Sequence, residues 1–168
     1  MKKSLYTLLL FCLGLMVQAQ QTPAANQAAS LLIQGATLHI GDGTVIENGM
    51  IGIADGKILE VGKTGAQQNT YDNTVDANGQ HVYPGFIAAN STVGMVEIDA
   101  IRPTNDLNEI GTLLPNIRTI IAYNAESKVV ESLRPNGILT AQIVPTRGRI
   151  AGSSSSVQLD AWNWEDAG

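Results

Sequence analysis

The chain has little of what redox and metal chemistry most often use. Among its 168 residues there is one cysteine, Cys12, and there are two histidines, His39 and His81. A single cysteine excludes an internal disulfide, so stability must come from burial. The two histidines lie far apart in sequence, and neither stands at metal-ligand spacing. Each is expected in a solvent-facing or turn-stabilising role. Aromatic residues make up only 5% of the chain, which leaves the core to aliphatic side chains. Positive charge is scarce too, with 10 Lys+Arg against 15 Asp+Glu and a net charge of −5. An acidic surface without a basic cluster argues against nucleic acid and anionic membranes as partners. No Gly-x-Ser-x-Gly elbow occurs, and Gly41-Asp42-Gly43 is a turn, since no helix follows it to cradle a phosphate.

What is present begins with a targeting pattern. Lys2 and Lys3 precede the apolar run LYTLLLFCLGLMV, which ends in Val17-Gln18-Ala19. A basic start, a short apolar core and small residues at the exit describe a secretory signal peptide over residues 1–19. The run is shorter than the about 20 apolar residues a membrane span needs. An uncleaved anchor is the alternative. Cleavage after Ala19 implies a periplasmic or extracellular protein with no stable membrane anchor. It removes Cys12 as well, together with Lys2 and Lys3. Residues 20–30 (QQTPAANQAAS) are small and polar and read as a linker without reason to order.

Residues 31–80 change character. Short β-type runs (LLI, TLHI, MIGIA, KILEV) are punctuated by glycine-rich turns. Asp55-Gly56 between two such runs is a strong hairpin indicator, because both residues tolerate the positive φ of a type I′ turn. A compact antiparallel β unit follows. Residues 82–89 then form a mostly apolar run broken by Pro84-Gly85, as expected of a strand covered on both faces. An irregular stretch covers about 91–115, and residues 127–133 have helix-compatible spacing. Asn136-Gly137 stops the helix, and residues 138–144 make a second apolar strand ended by Pro145. Strand, helix, strand is a βαβ unit, hence parallel pairing and an α/β region.

Several side chains invite a chemical reading. Glu97 and Asp99 alternate with apolar residues in Met95-Val96-Glu97-Ile98-Asp99, so both carboxylates can share one strand face. Paired there, they suit a hard cation or general acid/base work; a solvated strand edge is the favoured reading, since no third ligand is near. Arg147 and Arg149 flank Gly148 and suit recognition of a substrate carboxylate. The serines at 153–156 read as a flexible loop, without a histidine to activate a nucleophile. Trp162 and Trp164 fit either a pocket wall or local packing.

The order of these blocks resembles the metal-dependent amidohydrolase superfamily, in its imidazolonepropionase-like branch. The resemblance rests on the β unit, the strand His81-Val82-Tyr83-Pro84-Gly85-Phe86-Ile87, then Pro115-Asn116-Ile117-Arg118, Ala122-Tyr123-Asn124, the run from Asn136 to Pro145, and Gly148-Arg149-Ile150-Ala151-Gly152. It covers nearly all of residues 31–168. It implies a small N-terminal β-sandwich over 31–80 beside the start of a (β/α)8 TIM-like barrel over 81–168. That barrel is incomplete, since a full one takes about 250 residues. It also implies hydrolysis of a carbon–nitrogen bond, in a cyclic amide or peptide-like small molecule, by water activated on zinc or a similar divalent metal. The family pattern after Pro-Gly-Phe-Ile is Asp-Ala-His-x-His. Here Ala88 stands for the aspartate, and Asn90 and Thr92 stand for the histidines. An amide and a hydroxyl are far poorer ligands than imidazole for such metals. On this reading Asn90 and Thr92 are structural or substrate-facing hydrogen bonders. The family's remaining ligands, two histidines and an aspartate from later strands, have no counterparts in this chain. The expectation is the N-terminal portion of an exported hydrolase, inactive alone and without tightly bound zinc. The alternatives are a non-catalytic binding or assembly protein derived from that fold, and a self-sufficient β module with a disordered tail.

Overall fold

The computed structural model describes residues 23–168; the expected signal peptide lies outside them. The chain is mixed α/β, dominated by strands arranged in two sheets. It divides into two compact units, residues 24–88 with 137–140, and residues 89–136 with 141–168.

In the first unit, β1 (Leu31–His39), β2 (Val45–Ala54), β3 (Lys57–Lys63), β4 (Asn73–Asp76) and β5 (His81–Val82) form one sheet. Its order is β3-β2-β1-β4, with β5 also on β1. The hairpin between β2 and β3 turns at Asp55 (φ 52°) and Gly56 (φ 69°), both left-handed as a type I′ turn demands. The sheet is not purely antiparallel, as the local turns had suggested. β1 pairs antiparallel with β2 but parallel with β4 and β5. Ala36, Leu38 and Ala77 form the buried centre, with Ile33, Ile46, Ile51 and Val82 packed around it. Two close approaches depend on missing side chains. A Cβ on Gly49 would strike the Leu38 side chain, and one on Gly52 would overlap the Tyr71 phenol.

The expected linker is partly tied down. Gln27 Nε2 donates to Ile53 O at 3.1 Å, and Gly56 N–H donates to Gln27 Oε1 at 2.8 Å. One side chain thus satisfies backbone groups at the hairpin turn, which no local pattern in 20–30 announces. Ser30 is held as well, its N–H and hydroxyl both donating to Asp72 Oδ2 at 2.8 Å. Those bonds, the hydroxyl's first, hold the Asp72 carboxyl below its ordinary pKa.

The second sheet has the order β6-β7-β8, where β6 is Phe86–Ser91, β7 is Ile138–Ile143 and β8 is Ser155–Gln158. Phe86 N–H donates to Gly137 O, and Val144 N–H donates to Ser91 O. Partner numbers rise together along both strands, so β6 and β7 run parallel, as the βαβ reading required. Between them lies the helix α1 (Lys128–Leu133), capped by Ser127, whose hydroxyl accepts from Val129 N–H at 3.3 Å. Gly137, at φ 82°, ends the helical stretch. Two expectations fail here. Phe86 and Ile87 are 62% and 69% exposed, so the start of β6 is not covered on both faces. The serine run is no flexible loop: Ser155 and Ser156 begin β8, and Ser153 bonds to the backbone of Ile117 and Thr119. In the second unit Met95, Tyr123, Val130, Ala141, Ile143, Val157 and Leu159 are buried. The Trp164–Ala167 turn (α2) closes the chain, capped by Asn163.

Candidate functional site

The end of β6 is where the family pattern would place its first metal ligands. Asn90 has φ 51°, a left-handed backbone, and the strand stops at Ser91. Alternation through Asn90 to Thr92 is therefore broken, and the shared face expected of residues two apart is not formed. Thr92 enters a turn in which its carbonyl accepts from Met95 N–H at 3.1 Å. Asn90 N–H makes a long contact of 3.4 Å to Gln142 Oε1. The turn is tight because Gly94 (φ 73°) lies against the Tyr123 ring, where a Cβ would collide.

Glu97 and Asp99 do not lie on a strand. Val96 makes only an isolated bridge to Asn105, and Ile101 N–H turns back to Ile98 O at 2.9 Å, placing Asp99 in a turn. Glu97 has a different task. Its Oε1 accepts from Asn124 Nδ2 at 3.0 Å and its Oε2 from the Ser127 hydroxyl at 3.1 Å. The carboxylate thereby holds the residue that caps α1. Arg147 and Arg149 flank Gly148 in a loop that carries two successive left-handed residues, Arg147 at φ 70° and Gly148 at φ 81°. Arg149 N–H donates to Thr112 O at 2.8 Å, which fixes the loop through its backbone.

A cavity in the second unit lies elsewhere. It measures about 360 Å³, and its wall includes Asp106, Glu109, Asn116, Arg118, Ile121 and Pro145. None of Asn90, Thr92, Glu97, Asp99, Arg147 and Arg149 lines it. Long-range backbone bonds build it. Asp106 N–H donates to Met95 O, Thr146 N–H to Leu107 O, and Ser153 N–H to Ile117 O. Thr119, also on the wall, directs its hydroxyl to Ser153 O at 2.7 Å, so that oxygen is committed to structure. Carboxylates, an amide and a guanidinium above apolar patches can bind a small polar molecule carrying both signs of charge. Trp162 and Trp164 do not contribute to this wall. Sequence reasoning missed it because its residues lie in loops brought together by bridges such as Leu113 with Ile150 and Arg118 with Ser153. Asn116, Ile117 and Arg118 were visible only as part of a family block.

The two histidines, far apart in sequence, meet in space. His39 Nε2 and His81 Nδ1 are 2.9 Å apart, and the His39 ring stacks on Tyr83 with centroids 4.2 Å apart. The parallel register of β1 and β5 unites residues the sequence kept apart.

The metal that the family resemblance implies does not fit the residues at the end of β6. Their donors are an amide and a hydroxyl, Asn90 has lost strand geometry, and among the described residues no three His, Cys, Asp or Glu side chains gather.

No family model matches the chain, and no curated protein does. Among solved structures, the chain is similar to an amidohydrolase from Thermotoga maritima MSB8, with TM-score 0.72 and 22% identity. That match covers 82% of this chain and 36% of the other. A triazine hydrolase from Arthobacter aurescens matches at TM-score 0.36 and 27% identity, over 45% of this chain and 17% of its own, too loosely to bear on the argument. The first likeness establishes a shared fold and agrees with the amidohydrolase resemblance of the sequence. The chain spans about a third of the length of the Thermotoga protein.

Proposed function

We propose that the chain is the N-terminal portion of an exported amidohydrolase-like protein, supplying scaffold to a hydrolase of carbon–nitrogen bonds and inactive by itself. The fold shared with the Thermotoga amidohydrolase over 82% of this chain carries the reading. The parallel pair β6 and β7 with α1 between them suits the first units of a (β/α)8 barrel. The exposure of Phe86, Ile87 and Leu139 suits strands that further units would cover. No catalytic step is assigned to this chain, because its donors do not fit the metal that such chemistry uses.

One observation favours a second reading, a non-catalytic binding or assembly protein derived from the same fold. Asn90 and Thr92 have lost both ligand chemistry and ligand geometry. In that case the 360 Å³ cavity with Asp106, Glu109 and Arg118 is the binding feature, suited to a small zwitterion.

Two assays separate these readings. The purified chain, offered cyclic amides and N-acyl amino acids with added Zn2+, is expected to hydrolyse none; turnover abolished by a chelator would overturn the claim of inactivity. The longest in-frame product of the gene should hydrolyse such substrates under the first reading. Under the second it should bind small zwitterions without turnover.

A further inference from the structure

The feature that the function above leaves unused is the imidazole pair on the five-stranded sheet. β1 and β5 pair in parallel with Thr37 opposite His81 and Leu38 opposite Val82. Continuing that register sets His39 opposite Tyr83, and the two rings stack with planes 8° apart. His81 precedes Tyr83 by two residues, so both share a strand face, and His81 becomes the diagonal neighbour of His39. The result is His39 Nε2 at 2.9 Å from His81 Nδ1.

We propose that His39 and His81 form a two-imidazole binding site for a late first-row divalent cation, Cu2+ before Ni2+ and Zn2+. The facing nitrogens lie head-on between ring centroids 5.2 Å apart, as an N–H···N hydrogen bond requires. Each ring must therefore turn by about 45° to aim its lone pair at one ion, while the nitrogen separation itself need hardly change. With metal–nitrogen bonds of about 2.0–2.1 Å, two nitrogens on one ion stand about 2.9 Å apart at a right angle and about 3.3 Å apart at the tetrahedral angle. Imidazole is a preferred ligand for these metals, and divalent affinity peaks at copper. No net proton need leave the neutral pair. One ring now donates its N–H to the other's lone pair; moving that proton to the donor ring's second nitrogen turns both facing nitrogens into lone-pair donors.

The surroundings support a held ion. Tyr83 stacks on His39 and covers one face of its ring. His39 and Tyr83 border an apolar groove of about 180 Å³ lined by Leu38, Ile51, Ile58, Val61 and Val82. An apolar shell on one side strengthens metal–ligand interactions and limits water. His81 is exposed, which leaves the remaining coordination positions to solvent.

The test uses the whole chain and Cu2+ alone. Because His39 and His81 are the only histidines, imidazole NMR resonances need no crowded assignment. Substoichiometric Cu2+ should broaden both ring signals together in the wild-type chain, and titration calorimetry should give one ion per chain. His39→Gln or His81→Gln, with an unchanged far-UV spectrum, should weaken binding by more than about tenfold, the lower limit that even outer-shell losses cost. Tyr83→Leu should weaken it less. Broadening of one ring alone, no binding, or undiminished binding in the folded His→Gln variants would each overturn the proposal. None of these outcomes depends on whether the chain belongs to a hydrolase.

Discussion

The two units are put together by different means. In residues 24–88 the chain turns where local chemistry says it should, at Asp55-Gly56 and at Gly41-Asp42-Gly43, where Thr44 N–H donates to Asp42 Oδ1 at 2.8 Å. In residues 89–136 and 141–168 long irregular segments are fixed by backbone bonds from distant parts of the chain, such as Thr119 to Ser153. A hairpin sheet is therefore legible from short windows, whereas a loop-built unit is not. The first kind of unit should tolerate changes in its connections, and the second should fail where one close contact is spoiled.

Gly94→Ala should be the most damaging single change. It combines a left-handed backbone (φ 73°) with a collision against the buried Tyr123 ring, so a loss of about 3 kcal/mol is expected in chemical denaturation. Gly52→Ala, the matching close approach in the first unit, would overlap the Tyr71 hydroxyl and ring edge but carries no left-handed backbone. That phenol can swing away from Glu60, to which it now donates, so the expected loss is only about 1 kcal/mol. Equal losses at the two glycines would erase the contrast between the units.

Ser127→Ala removes the cap of α1 and one of the two donors to Glu97. A loss of about 1 kcal/mol is expected. Glu97→Gln should retain most stability, since an amide oxygen can still accept one bond. A loss at Glu97→Gln larger than that at Ser127→Ala, in the same denaturation measurement, would show that the charge itself is needed.

Tyr123→Phe should be neutral or stabilising by up to about 1 kcal/mol, because the buried hydroxyl finds no hydrogen-bond partner among the described residues. Burial pushes the Tyr123 pKa up from 10.0 to about 12, opposed in part by Arg134. The folded chain thus keeps the proton after the unfolded chain has lost it. The contribution is complete below pH 10 and is lost as pH rises toward 12. Denaturation midpoints between those values should fall in the wild type and stay flatter in Tyr123→Phe.

At the acid end the sign reverses. Asp72, through Ser30, and Glu60, through Tyr71 and then Gln68 N–H, have lowered pKa values. Their stabilisation is present above the ordinary carboxylate range and disappears as pH falls through their folded values. Asp72 is exposed and Glu60 only half-buried, so the drop should be small. Replacing Ser30 by Ala should flatten the Asp72 share.

Legibility follows the same divide. The stop at Asn136-Gly137 and the strand over Ile138–Ile143 were visible because each depends on its own residues. Gln27 was not, since its value lies in reaching Ile53 and Gly56. The serines at 153–156 have a loop's composition, yet Ile117 and Thr119 draw them into sheet structure. The histidine pair needed the parallel return of β5, which no hairpin rule supplies. Asn90 and Thr92 were legible in chemistry and not in geometry, because alternation was assumed through a residue that turns left-handed.

The claim on which the functional account rests is that the end of β6 has no hold on a transition metal. Zinc content after dialysis of a His39→Gln, His81→Gln double variant measures this without interference from the imidazole pair. The account predicts no stoichiometric zinc; one zinc per chain that disappears on adding Asn90→Ala would contradict it.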